Sequence, residues 1–529
     1  MPIPGQREKP KLSNRLTSDD RSFPPHLMVN ALAGTGKTST IIEGVKYLRQ
    51  RPVSIEPSDQ QLAIWHSLQK SSQAKTIAIV AYNNSAANEL KKRVPEYCEA
   101  CSTYGLGFRA VKMAYGYGVK PDGERTKKIV CQVSGIAWED RFRPAFKSLI
   151  VSFAYLVSTV KLTLADPENL DSLVSLCEEF EIAFETESEQ RKAFQLLPEV
   201  LQECSKVTDT IDWEDMVWLP TFNHLPMPSY DLLIVDEAQD LSRGQQELVL
   251  RAGKRLIFVG DANQSLYAFA GADSLSISRL GKTLKETAQG CETLPLTVTR
   301  RCSFEVVERA KNFVPDFQAH PSNSQGLVKQ IHGGEIYSLA QQGDFILARM
   351  NAPLIAACLN LVDRQIPAVV VSRRLKDSLV TKFKRFAKIG GSESTKSIQE
   401  EVKKWYREEC KKVEVEMSGK PKNVVQMKLS KVQDQYETLL HFCDDTENLT
   451  EILENVTAIF AESPKDWAVN LMTVHAAKGL ESPNVFILNT KHHPIQMVWK
   501  TSSPTDVQNE RNVEYVAITR AIHRLYYVI

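Results

Sequence analysis

The stretch VNALAGTGKTST, Val29–Thr40, decides how the rest of the chain is read. An apolar run ends in small residues, then comes Gly-Lys-Thr, then a helical pattern. A phosphate loop asks for Gly, four residues, and Gly-Lys-Ser/Thr. Ala31 stands at the first Gly position, the loop's entrance, where a small residue suffices. The loop therefore spans Ala31, Leu32, Ala33, Gly34, Thr35, Gly36, Lys37 and Thr38. Backbone N–H groups from Ala33 to Thr38 can wrap a β-phosphate, helped by the field of the helix N-terminus. Gly34 and Gly36 let the backbone approach closely. Lys37 reaches the β- and γ-phosphates, and Thr38 ligates Mg²⁺. The competing reading is an ordinary glycine turn, which Gly-Thr-Gly-Lys-Thr after a strand disfavours.

Working outward, 529 residues are too many for one core, and two to four domains are expected. Hydrophobic content of 43% and charged content of 24% match a soluble globular enzyme. No run of about 18 apolar residues is apparent, so no transmembrane helix is expected. The first 20 residues are polar and lack the core of a signal peptide. The expected location is cytoplasmic, with no membrane partner. Ten cysteines are scattered, and Cys98 and Cys101 form a single CxxC, so free thiols are expected rather than a zinc site. Net charge is +1, which gives no global signal for nucleic acid. Arg373 to Lys431 carries 17 Lys/Arg against 8 Asp/Glu, a local balance of +9. Such a block is a solvated helix face as readily as a binding surface.

Short apolar runs read as buried strands. In the first half they are HLMVNA, TIAIVAY, LLIVD and RLIFVGD. In the second half they are DFILAR, AVVVS, NVFILN and RLYYVI. Helical patterns separate most of them, which argues for two α/β domains with parallel sheets. Two long, mainly helical stretches interrupt this rhythm and read as inserted subdomains. The division expected is a first ATP-binding domain at 1–104 and 211–290 with insertion 105–210. A second domain follows at 291–375 and 466–529, with a short, partly basic insertion at 376–465.

YDLLIVDEAQD places Asp236 and Glu237 at the end of an apolar strand, where ligands bind in open α/β sheets. Asp236 would hold Mg²⁺ and Glu237 would polarise the attacking water. A solvated acidic turn is the weaker alternative. In RLIFVGDANQSLYAFAGA, Gln264 follows another strand and could sense the γ-phosphate or the attacking water. Tyr267 and Phe269, at i and i+2, offer stacking platforms for bases. Read alone, they serve equally well as two core aromatics.

These motifs, in this order, resemble superfamily 1 DNA helicases of the UvrD, PcrA and Rep type. AYNNSAANELKKRV, STYGLGF, DEAQD, VGDANQSLYAFAGA, LPLTVTRRCS, VNLMTVHAAKGLESPNVFIL and ERNVEYVAITRAIHRLYYV carry the resemblance. It implies two RecA-like domains that sandwich ATP and Mg²⁺. It makes Arg301, with Arg300 as competitor, and Arg520 the arginines at the γ-phosphate. Glu481 would contact the ribose. Asn83, Tyr104, Tyr267, Phe269, Thr473 and His475 would face DNA, with Lys478 beside them. His475 reads nearly as well as a hydrogen-bonded buried histidine. The implied activity is ATP-dependent helicase action, 3′ to 5′ on single-stranded DNA and at single/double-strand junctions, in repair, recombination or replication. Two other readings stay open: a translocase that unwinds poorly, and a nucleotide-gated subunit of a nuclease or defence complex. The chain ends just after the sixth motif, so a nuclease partner would be separate.

Several positions depart from the family pattern. Tyr104 stands where the family usually has His. Ala270 replaces a usual Arg, and Arg300 stands where an adenine-stacking Tyr is common. No adenine-reading Gln motif precedes the loop. EPSDQQLAIW, Glu56 to Trp65, has its flavour but follows the loop.

Overall fold

The structure is a computed structural model, and it describes residues 23–529 except 181, 183, 185, 208, 267–275, 418–421 and 500. The chain divides into two compact units. One runs up to Leu296. The other runs from Thr297 to Ile529 and is grouped with loop residues Ala33–Thr35.

The first unit is built on six strands: β1 (His26–Ala31), β2 (Ile77–Ala81), β3 (Glu99–Ser102), β4 (Tyr230–Val235), β5 (Gly253–Gly260) and β6 (Cys291–Leu296). Their order is β3-β2-β4-β5-β1-β6. Every pairing is parallel. Alternate residues feed two cores, as the two-residue period of a strand requires. Leu27, Val29, Ile79 and Ile234 enter one. Met28, Val80, Leu233 and Phe258 enter the other. Both faces are covered, which is why these strands read as continuous apolar runs. The register pairs Val29 with Val259 and Val235 with Phe258, so the loops after β1, β4 and β5 leave from one edge. β6 pairs with β1 from His26↔Cys291 to Ala31↔Leu296. The first sheet therefore runs past the boundary expected at residue 290.

His26 opens β1, fully buried, and its Nδ1 accepts the Leu256 N–H at 3.0 Å. Burial, reinforced by the Arg255 charge, lowers its pKa to about 4. The folded state thus binds this proton more weakly than the unfolded chain. Its contribution is complete above about pH 6.5 and is lost as pH falls toward 4, on the order of 3 kcal/mol. In His26→Asn, an amide oxygen replaces Nδ1 and nothing titrates. Thermal melts at pH 7 and pH 5 should differ less for this variant than for wild type.

Helices Thr103–Tyr115, Arg125–Ser134, Pro144–Thr163, Leu170–Glu179, Glu187–Ser205 and Asp215–Phe222 share a core of their own, containing Phe153, Leu156, Leu173, Leu197 and Trp218. A Cβ on Gly107 would lie 1.9 Å from the Met216 carbonyl oxygen, so glycine is required where these two helices touch. One described helix, Ala145–Thr163, is by length and composition apolar enough to cross a membrane, and 50% of its apolar window is buried inside the protein, as in a core helix.

The same core encloses a group of charges. Lys161 Nζ lies 2.6 Å from Asp212 and 2.8 Å from Asp215, and Arg125 lies 2.7 Å from Asp215. Two cations and two anions balance. Lys161→Met would leave the carboxylates with one cation, and breaking such a buried pair costs about 3–5 kcal/mol. Urea unfolding should show that loss. Adding Asp212→Asn to Lys161→Met should recover part of it.

The second unit holds β7 (Leu327–Ile331), β8 (Phe345–Ala348), β9 (Ala368–Val371), β10 (Phe460–Ala461), β11 (Val469–Thr473), β12 (Ser482–Leu488) and β13 (Ala521–Val528). Their order is β7-β13-β12-β8-β11-β9-β10, again parallel throughout. Helices Arg373–Gly390, Thr395–Glu416, Lys422–Cys443 and Leu449–Ile459 lie between β9 and β10. Phe383, Ile398, Phe442 and Ile452 from these helices join Ile346, Val370, Leu471 and Phe486 of the sheet in one core. This helical stretch therefore packs on its sheet, whereas the helices of the first unit also share a core of their own. Of the basic block, Lys384, Arg385, Lys388, Lys404, Arg407 and Lys411 face solvent.

Candidate active site

Ala31 is the last residue of β1, 0% exposed, with its methyl in the sheet core. The departure from glycine thus falls on a strand position that wants a side chain. The Leu32 N–H donates to the Leu296 carbonyl at 2.9 Å and extends the β1–β6 ladder. Ala31 thus ends the strand, and the Leu32 N–H just beyond it is turned to the neighbouring strand β6. The turn proper follows. Gly34 has φ 66° and Gly36 φ 78°, values that favour glycine. Gly36 leads into helix Lys37–Leu48, which has no side-chain cap and no acidic residue in its first turn. The first N–H groups of a helix lack intrahelical partners and carry partial positive charge, so an uncapped N-terminus suits an anion.

Thr38 and Asp236 meet at this point. Thr38 Oγ1 donates to Asp236 Oδ2 at 2.7 Å. Asp236 follows β4 and is 5% exposed. Burial first, then the neighbouring Glu237 charge, raises its pKa to about 6. Glu237 lies 3.7 Å from Lys37 Nζ. Its backbone sits at φ 52°, ψ 45°, an unusual conformation for a non-glycine residue. Such local strain gathers at functional sites.

Two residues that the sequence motifs did not single out organise the neighbourhood. Gln239 donates to Glu237 Oε2 at 2.7 Å and accepts the Asp261 N–H at 3.1 Å. Asp261, 1% exposed, accepts from the Gln264 side chain at 2.7 Å. Gln264 is thus buried and held by Asp261. The signal was available in VGDANQ, where a carboxylate follows an apolar strand as it does in LLIVDE.

In the second unit, Arg301 forms an ion pair with Glu481 and donates Nη1 to the Thr519 carbonyl at 3.3 Å. Its competitor Arg300 is exposed. Arg520 is 1% exposed. Its guanidinium donates to the Val516 carbonyl at 3.0 Å, the Leu480 carbonyl at 3.1 Å and Thr519 Oγ1 at 3.2 Å. Arg301, Glu481 and Arg520 therefore gather around Thr519. Thr473 ends β11, and its hydroxyl accepts the Ala476 N–H at 3.3 Å. Burial lowers the His475 pKa to about 3, with Arg349, Lys431 and Lys478 adding to the effect, so the ring is neutral.

The remaining expected contacts have local duties. The Asn83 side chain caps helix Asn84–Lys91 by accepting the Ala86 N–H at 2.8 Å. Tyr104 packs on the helical core of the first unit. Gln61 of EPSDQQLAIW closes a capping box with Ser58 and donates to Thr40 at 2.8 Å. Tyr267, Phe269 and Ala270 lie outside the described residues.

A strand, an uncapped glycine turn and a helix, with Thr38 against a strand-end aspartate, define a phosphate-loop protein carrying two RecA-like parallel sheets. The chain belongs to the UvrD/REP helicase family. Residues 20–285 match the UvrD/REP helicase N-terminal domain, and residues 307–529 match the UvrD-like helicase C-terminal domain. Among curated relatives, it is 41% identical over 86 residues to the ATP-dependent DNA helicase UvrD1 of Mycobacterium tuberculosis, covering 16% of this chain and 11% of that protein. It is 22% identical to the ATP-dependent DNA helicase PcrA of Bacillus subtilis, covering 94% of this chain and 80% of that one. It is 26% identical over 315 residues to the F-box DNA helicase protein 1 of Schizosaccharomyces pombe, covering 56% and 33%. The match thus spans about a tenth of the UvrD1 relatives.

Proposed function

We propose that the chain is an ATP-driven motor that moves 3′ to 5′ on single-stranded DNA and unwinds duplex ahead of it. The observation that carries the ATP-driven part of this reading is the meeting of Thr38 and Asp236, 2.7 Å apart, at an uncapped helix N-terminus beside Glu237; polarity and unwinding rest on the resemblance. A hydroxyl and a buried carboxylate are hard oxygen donors of the kind Mg²⁺ takes. When bound, that ion neutralises charge on the phosphates. Lys37 holds the β- and γ-phosphates. Glu237 accepts the proton of the attacking water, and Gln264 orients that water. Arg301 and Arg520 supply positive charge from the second unit, and Glu481 holds the ribose. Asn83, Tyr104, Thr473 and His475 contribute to the DNA path.

In this reading, each RecA-like domain carries its helical stretch as an insertion, 105–210 in the first and 376–465 in the second. The protein acts in the cytoplasm, in DNA repair, recombination or replication, with or without a separate nuclease. The names of the curated relatives support ATP and DNA as its ligands.

ATP hydrolysis with and without single-stranded DNA, followed by unwinding of duplexes with a 3′ or 5′ tail, tests the proposal. DNA-stimulated hydrolysis with unwinding from the 3′ tail supports it. Preference for the 5′ tail overturns the polarity. Stimulated hydrolysis without unwinding indicates a pure translocase. Hydrolysis indifferent to DNA indicates a nucleotide-gated subunit.

A further inference from the structure

Gln239 lies two residues beyond Glu237, on the short helical turn Ala238–Asp240, and is 1% exposed. Its side-chain amide joins two loops that leave neighbouring strands β4 and β5. Nε2 donates to Glu237 Oε2 at 2.7 Å. Oε1 accepts the Asp261 N–H at 3.1 Å. Asp261 in turn fixes Gln264 twice, through the side chain at 2.7 Å and through its carbonyl, which accepts the Gln264 N–H at 3.0 Å. Glu237 and Gln264 are thereby the two ends of one hydrogen-bonded chain.

The backbone is shaped to admit this bridge. A Cβ on Gly260 would lie 2.5 Å from Gln239 Oε1 and 2.9 Å from Ile277. Glycine at that point leaves the amide room against β5. An amide also suits the task chemically. It offers a donor to a carboxylate and an acceptor to a backbone N–H at once, without adding charge. A carboxylate there would repel Glu237, and an ammonium would leave the Asp261 N–H without an acceptor.

We propose that Gln239 is a positioning residue that ties the orientation of the Glu237 carboxylate to the place of Gln264, so that base and sensor move as one unit. The inference rests on the reading of Glu237 as the hydrolytic base. The bond to Glu237 is charge-assisted, the stronger class of hydrogen bond. Its loss frees the carboxylate to rotate away from the water it must deprotonate. ATP binding makes no use of Gln239, so the effect belongs in turnover rather than in affinity.

The test compares wild type, Glu237→Gln, Gln239→Leu, Gln239→Glu, Gln264→Leu and the double variant Gln239→Leu/Gln264→Leu, each checked for folding by thermal melting. Gln239→Leu should lower kcat about 10- to 100-fold, the scale of one hydrogen bond to a charged group. Its ATP Kd should stay within about threefold of wild type, the scatter expected between sites that do not interact. Gln239→Glu keeps the acceptor for the Asp261 N–H but loses the donor and sets a second carboxylate against Glu237. It should fall in kcat as far as the leucine variant, which serves if the leucine variant does not fold. The double variant should be no slower than the slower single variant, because residues acting as a unit are not additive. A purely structural role would instead give additive losses and a lowered melting temperature. If Glu237→Gln is inactive while either Gln239 variant turns over within about threefold of wild type, or while the two losses multiply, the bridge has no positioning role. If Glu237→Gln itself turns over normally, the assignment of the base falls, and the inference falls with it.

Discussion

Replacing Arg520 by lysine is expected to slow ATP hydrolysis by about 10³–10⁵, the scale seen when an arginine finger is lost. The charge is retained in this variant, but the planar fork of donors is not. Arg520 follows helix Pro504–Ile518 and opens the turn into β13. Its guanidinium donates to Leu480, Val516 and Thr519. These three bonds use three of the five guanidinium N–H donors and fix the plane of the fork. The same commitments alter what Arg520→Ala would report. Alanine leaves those buried acceptors without a donor, at about 1–3 kcal/mol for each unsatisfied group. Lysine, with three donors on a flexible stem, is the variant to measure. Single-turnover hydrolysis with saturating DNA, beside a thermal melt, separates the two effects. A folded Arg520→Lys protein that hydrolyses ATP within about tenfold of wild type would remove Arg520 from the site, since a finger is worth far more.

What the sequence reveals depends on burial and on distance along the chain. The eight apolar runs coincide with β1, β2, β4 and β5 of the first sheet and β8, β9, β12 and β13 of the second. The strands without such runs include all four sheet edges: Glu99–Ser102, Cys291–Leu296, Leu327–Ile331 and Phe460–Ala461. An edge strand has a neighbour on one side only and tolerates polar residues, as Leu327–Ile331 shows with only Ile331 buried. One interior strand, Val469–Thr473, carries no clean run because Asn470 interrupts it. That side chain is 1% exposed and satisfied by Lys465 and the Ala468 carbonyl. At the site, Lys37 and Thr38 are legible because their spacing is local, and Asp236 and Glu237 because they end an apolar run. Gln239 is not legible, since its meaning lies in a contact with Asp261, 22 residues away. The Arg125, Lys161, Asp212 and Asp215 cluster is hidden for the same reason, and charged residues ordinarily sit outside. Its members span 90 residues.

Glu237→Gln is expected to keep ATP binding and to lose about 10²–10⁴ in turnover, the range of general-base catalysis. Glutamine has the shape of glutamate and still offers an oxygen to the Gln239 amide, whose bond to Glu237 is 2.7 Å. The unusual backbone at φ 52° is unchanged, because the two residues share the same Cβ and Cγ. The fold should therefore be preserved. The amide cannot accept the proton of an attacking water, so the chemical step stops. Affinity should hold or improve. The substitution removes a negative charge 3.7 Å from Lys37 and adjacent to Asp236, and the phosphates meet less repulsion on arrival. Lys37→Ala should do the reverse and weaken binding directly. Equilibrium titration with a labelled ATP analogue gives the affinities, and single-turnover hydrolysis gives the rates. Hydrolysis by Glu237→Gln within about tenfold of wild type, short of the range for a lost base, would assign the proton to another acceptor. Asp261, buried and tied to Gln264 on the neighbouring strand end, is the next carboxylate to replace.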